Sequence, residues 1–114
     1  TAYSYYLGFF LNGQPTAGQV VTMIPMVRIV EFTSAVTEQS IAYSSGVASG
    51  SAMFTMTVNG SAFGTILFTS TAASAVFSVT DRTFTPGEVF RLIAPASVDT
   101  TLSDIGFNIQ TRRY

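Results

Sequence analysis

The chain contains no cysteine, histidine, lysine or tryptophan. Each absence removes a class of chemistry. Without Cys there is no disulfide framework, thiol nucleophile or thiolate metal site, so the fold must hold by packing alone in any redox compartment. Without His, the usual general base near neutral pH and the commonest zinc and copper ligand are both missing. The 29 Ser and Thr hydroxyls therefore have no Lys, His or Cys to activate them as nucleophiles.

Charge is also scarce. Charged residues make up 10% of the chain, against roughly 25% in an ordinary soluble domain, and the formal net charge is −1. The five basic residues are all Arg, and only Arg112 and Arg113 adjoin one another. A phosphate-binding surface needs a clustered positive excess, so nucleic acid is not an expected partner. No stretch approaches the roughly 20 apolar residues of a membrane helix, and no basic start precedes a clean apolar run. Neither a membrane partner nor a signal peptide is expected. Apolar residues reach 47%, which excludes intrinsic disorder and argues against a lone, highly soluble monomer.

What is abundant points to strands. The 114 residues, enough for one domain spanning 1–114, are led by 16 Thr, 13 Ser, 12 Ala, 11 Val and 10 Phe. Branched and aromatic side chains favour a pleated surface, whereas Leu, Glu, Lys and Gln are few or absent. In Ala52 to Val58, the residues Phe54, Met56 and Val58 share one face and Thr55 and Thr57 the other, and Asn59-Gly60 then offers a tight turn. The connection could extend over Asn59 to Ala62. Ile66 and Phe68, then Ala75, Phe77 and Val79, then Phe90, Leu92 and Ala94, occupy the apolar phases of later strands, with Arg91 outward. Ile105 to Gln110 alternates most cleanly.

The first third is harder to phase. Tyr5 to Leu11 is an extended aromatic run, and Val20 to Phe32 is interrupted by Pro25. It reads as strands over Gln19 to Ile24 and Val27 to Thr33, or as one bulged edge strand. Ser34 to Ser51 reads as a long loop with a short strand near Ile41 to Tyr43, and Thr100 or Thr101 could cap a helical turn reaching Asp104. The sum is an all-β fold of about seven or eight short strands, a β-sandwich or a jelly-roll-like barrel. Phe9, Phe54, Phe68, Phe77, Phe90 and Phe107 should close its core.

The candidate sites are few. A general acid and base would have to come from Glu31, Glu38, Asp81, Glu88, Asp99 and Asp104, and only two carboxylates held together in a cleft could divide those roles. Asp99 and Asp104 are near in sequence and could ligate Ca²⁺. The blander reading has Asp99 accepting from loop amides and Asp104 at the entrance of the last strand. Gly46 to Gly50 and Gly60 to Gly64 precede no helix signal and carry no Lys, so both serve turns. Arg28 and Arg91 read as solvated strand-face residues or partners of Glu31 and Glu88. The aromatic start is more suggestive. Tyr3, Tyr5 and Tyr6 suit an interface, although Tyr5 or Tyr6 could instead fill the core of a first strand. Arg112, Arg113 and Tyr114 could form a peg that docks in a neighbouring subunit. The missing Lys leaves strand edges without their usual blunting, and other subunits could cover them.

Three stretches carry a likeness: YYLGFFLNGQPTAGQVV at the start, FTMTVNGSAFGTILF in the middle and FTPGEVFRLIAPASVDTTLSDIGFNI at the end. They resemble a small β domain of virion structural proteins in tailed bacteriophages and prophages, and of the ends of tail or fibre proteins. In that likeness Asn59-Gly60 with Gly64-Thr65 form a signature hairpin, Pro86-Gly87-Glu88 a turn usually written with Gly-Asp, and Pro95 through Asp99 the loop before the final strand.

The resemblance implies a non-enzymatic virion surface protein, made in the host cytoplasm. It would be a capsid decoration or cement subunit, with major capsid or tail subunits and further copies of itself, as a trimer, for partners. No catalytic residue, cofactor or metal is implied. The alternative is a tail or fibre module that binds a receptor or carbohydrate, which would show a shallow groove exposing Tyr beside amides such as Asn108 or Gln110.

Overall fold

In a computed structural model that describes residues 3–97 and 99–114, ten strands and one short helix follow one another along the chain. They are β1 (Tyr3–Leu11), β2 (Val20–Pro25), β3 (Val30–Phe32), α1 (Ser34–Thr37), β4 (Ile41–Ser44), β5 (Ala52–Val58), β6 (Ser61–Phe68), β7 (Val76–Val79), β8 (Arg82–Phe84), β9 (Val89–Ile93) and β10 (Ile105–Arg113). One sheet runs β1-β10-β3-β8 with β4 also paired to β10, and the other runs β2-β9-β5-β6-β7. Their inner faces meet, consistent with a β-sandwich.

Every paired strand is antiparallel, and the pairing is nested. β1 pairs β10, β2 pairs β9, β3 pairs β8 and β5 pairs β6, while Tyr43 of β4 bridges to Ser74 just before β7. The chain therefore behaves as one long hairpin whose tip is Asn59-Gly60 and whose arms alternate between the sheets. At that tip both residues have positive φ, 48° and 91°, and Val58 faces Ser61 across a two-residue loop. This is the signature of a type I′ turn, whose twist matches the flanking strands. The connection is thus shorter than the four residues the sequence allowed.

The expected inward residues are inward: Phe54, Met56, Val58, Phe77, Phe107 and Ile109 are buried. Phe9 and Phe107 stack with ring centroids 4.9 Å apart across β1 and β10, and Phe54 from the other sheet meets Phe107 edge-on at 5.7 Å. A second cluster joins Phe32, Phe63, Phe84 and Phe90. Phe63 enters it through a bulge. Met56 faces Gly64 but Thr57 faces Ala62, leaving Phe63 as the extra residue, and a slip of one residue turns side chains to the opposite face.

Three expectations need correction, and one open choice is decided. Strands number ten among the described residues, above the seven or eight expected, and β8, three residues between turns, has no alternation to reveal it. The Pro25 interruption resolves as two strands, with Pro25 closing the edge strand β2 and the second strand shortened to Val30–Phe32. The one helix lies in the segment read as a loop. Thr33 caps it, its hydroxyl accepting from the Val36 N–H at 3.2 Å. No helical turn forms at Thr100 or Thr101: the N–H groups that such a cap would take, those of Leu102, Ser103 and Asp104, go to Asp99 Oδ1, Ser44 Oγ and the Gly13 carbonyl, and Asp104 has a positive φ of 52°.

Candidate functional site

The outer face of the β1-β10-β4 sheet is shaped by two glycines. Alternation puts Leu7, Leu11, Ile105, Phe107 and Ile109 inside, so Tyr6, Gly8 and Phe10 on β1, Gly106, Asn108 and Gln110 on β10, and Ile41 and Tyr43 on β4 all point out. The register sets them in rows: Tyr6 beside Gln110, Gly8 beside Asn108 beside Ile41, Phe10 beside Gly106 beside Tyr43. With no side chain at Gly8 or Gly106, the middle of the face sinks below its flanks. A Cβ added to Gly106 would meet nothing within 4 Å.

Beside these glycines lies a groove of about 210 Å³ lined by Tyr6, Gln39, Ser40, Ile41, Asn108 and Gln110. Tyr6 is 58% exposed and Ile41 66%. The Ser40 hydroxyl oxygen accepts the Gln110 N–H at 2.7 Å, and the Gln39 amide donates to the Ala35 carbonyl at 3.1 Å, which fixes that rim. Among the described residues, the side-chain amides of Asn108 and Gln110 have no hydrogen-bond partner. Tyr6 was marked by the sequence, and Asn108 and Gln110 were named as amides that could lie beside a Tyr. Phe10, Ile41 and Tyr43 were not, because only the pairing of β4 with β10 sets them on the same face.

The other residues marked for an interface fall elsewhere. Tyr3, Arg113 and Tyr114 gather at one end of the same sheet: the Arg113 guanidinium lies 4.8 Å from the centre of the Tyr3 ring, and the Tyr114 hydroxyl donates to Glu31 Oε1 at 2.9 Å. That hydrogen bond, with some burial and the Glu31 charge, raises the Tyr114 pKa, against a smaller opposing pull from Arg112. Arg112 lies opposite Glu31 in the register. Tyr5 turns inward and packs, half-buried, against the core.

The six acids brace the fold. Each accepts a hydrogen bond from within the chain: Glu31 from Tyr114, Glu38 from the Val79 N–H, Asp81 from Ser34, Glu88 from Thr85, Asp99 from several donors and Asp104 from Gly13. Glu88 pairs with Arg82 at 3.0 Å, in place of the expected Arg91. The Thr85 N–H does most to lower the Glu88 pKa. Asp99 is 8% exposed. Burial pushes its pKa up, but the Thr101 hydroxyl and N–H and the Gly50 and Ser49 N–H groups outweigh that and hold it at about 2. Among the described residues, no three acids gather as metal ligands.

The outer face of the second sheet is different in kind. Across its five strands Arg91 is the single charged residue. Met53, Leu67 and Val76 form a row across β5, β6 and β7, with Val76 61% exposed, and Val20 and Met23 on β2 continue the apolar surface. The chain matches no known family model and no curated protein sequence.

Proposed function

We propose that this is a non-enzymatic structural subunit that acts by assembly, with the outer face of the β2-β9-β5-β6-β7 sheet as its principal contact surface. The observation that carries the reading is that sheet of five strands with one charge and a Met53-Leu67-Val76 row whose Met53 and Val76 are exposed, with Val20 and Met23 exposed on its edge strand. Exposed apolar side chains gathered on one face mark an interaction site on soluble proteins. The order β1-β10-β3-β8 over β2-β9-β5-β6, built from nested pairs, supports reading the sandwich as a jelly roll, with β4 and β7 as additions. Jelly rolls recur in viral capsid proteins and lectins, and this fold-level analogy, with the resemblance noted in the sequence, supports a place on a virion surface. There the chain would form trimers and dock on capsid or tail subunits, as decoration or cement.

Sedimentation velocity of the chain and of Met53→Glu/Val76→Glu tests the reading. The parent should sediment as a trimer and the variant as a folded monomer. A parent that stays monomeric at tens of micromolar, or a variant that assembles as the parent does, would overturn it.

A further inference from the structure

We propose that the trough over β10 is a binding site for a neutral saccharide, with Tyr6 as its stacking wall and Asn108 and Gln110 as its hydrogen-bonding floor. A pyranose presents a flat face of C–H groups and a rim of hydroxyls, so its site needs an exposed ring beside groups that both donate and accept. The groove has both. Tyr6, opposite Gln110 in the register, lines the groove with two amides that have no partner among the described residues, and an amide offers donors and an acceptor together. The Ser40 oxygen is occupied by the Gln110 N–H, which leaves its own proton free to donate.

Size and charge narrow the ligand further. A volume of about 210 Å³ lies below the roughly 300 Å³ where drug-sized sites begin, which suits a single ring. The open floor at Gly106, between Phe10 and Tyr43, leaves room for a second residue of a chain. None of the six lining residues is charged. The nearest charges along β10 and β3, Arg112 and Glu31, oppose each other in register, so an anionic ligand finds no net attraction. A second copy laid on this face would bury the two amides against a surface that must supply matching polar groups at both positions, whereas a sugar carries hydroxyls around its whole rim.

The test is a ¹⁵N-resolved NMR titration of the full chain with glucose, galactose, mannose and N-acetylglucosamine in turn. At least one sugar should give saturable millimolar shifts confined to Tyr6, Ile41, Asn108 and Gln110. Tyr6→Ala and Asn108→Ala should each weaken binding about tenfold, or about 1.4 kcal/mol, with the rest of the spectrum unchanged, while Tyr6→Phe should keep it. Absence of saturable shifts with all four sugars, or shifts indifferent to Tyr6→Ala and Asn108→Ala, would overturn the proposal. So would shifts at these residues that follow protein concentration without sugar, since these would put a second copy in the trough. The contact surface proposed for assembly lies on the other sheet, so either reading can fail without the other.

Discussion

Replacing Asp99 with Asn should destabilise the protein by about 2–4 kcal/mol at neutral pH, and the loss should vanish in acid. The carboxylate ties two distant loops together. Oδ2 accepts from the Ser49 and Gly50 N–H groups at 3.0 and 3.3 Å, while Oδ1 accepts from the Thr101 N–H, the Thr101 hydroxyl and the Leu102 N–H at 3.0, 2.8 and 3.3 Å. The single Thr101 hydroxyl proton has two acceptors within reach, Oδ1 and the Val47 carbonyl at 2.6 Å, and can be given to only one of them at a time. An Asn can keep one oxygen, but its NH₂ must then face N–H donors. A pKa lowered from 3.8 to about 2, at about 1.4 kcal/mol per unit, amounts to about 2 kcal/mol before solvent screening of this near-surface loop reduces it. Leaving one or two N–H groups without an acceptor adds about 1–3 kcal/mol.

The sign of the pH dependence follows from the lowered value. A carboxylate whose pKa falls on folding stabilises the native state fully above its unfolded pKa, and that contribution is lost as pH drops through the folded one. The parent should therefore lose stability between about pH 4 and pH 2, and the gap between parent and Asp99→Asn should close over the same window. Urea unfolding at a series of pH values measures both curves. A variant as stable as the parent at neutral pH, or a gap that stays constant into acid, would refute the assignment of Asp99 as the clamp between these loops.

Phe107→Ala should cost roughly 3–5 kcal/mol in denaturant unfolding, because it removes the ring that stacks on Phe9 and meets Phe54 from the opposite sheet; a loss under about 1 kcal/mol would contradict that placement. Thr37→Val should stabilise the fold by about 1 kcal/mol, read as a higher unfolding midpoint, since the Thr37 hydroxyl is, among the described residues, the one buried side-chain polar atom left without a partner. A fall in the midpoint would mean that the hydroxyl is bonded after all.

The strands that carried strict alternation over five or more residues were legible because their inner faces alone determine their phase. Phe54 to Val58 and Ile105 to Ile109 are of this kind. β8 was not, because three residues held by pairing with β3 need no apolar period of their own. The phase of Phe63 was not legible for a related reason: a bulge is a property of two paired strands, and the β6 sequence does not say where its partner slips. Local chemistry fared unevenly too. Asn59-Gly60 makes its turn from its own backbone preferences, whereas a cap at Thr101 would need the Ser103 and Asp104 N–H groups, which the distant Ser44 hydroxyl and Gly13 carbonyl take.

The same distinction governs the two surfaces. Tyr6 could be marked from sequence because an exposed aromatic on a strand invites an explanation, but its neighbours are set by long-range pairing. Ile41 and Tyr43 are distant in sequence from Asn108 and Gly106, yet they meet them row by row across β4 and β10. The trough therefore exists only if the nested pairing holds. Val76, Leu67 and Met53 likewise form a row through the β7-β6-β5 register alone. Moving that register by one residue would turn Phe77 and Ile66 outward and bury Ser78 and Thr65 in their place. The stability of the Phe core thus selects the register that puts the methyl-rich row outside. Packing of the interior and exposure of the contact surface are two consequences of one constraint, the register of β5, β6 and β7.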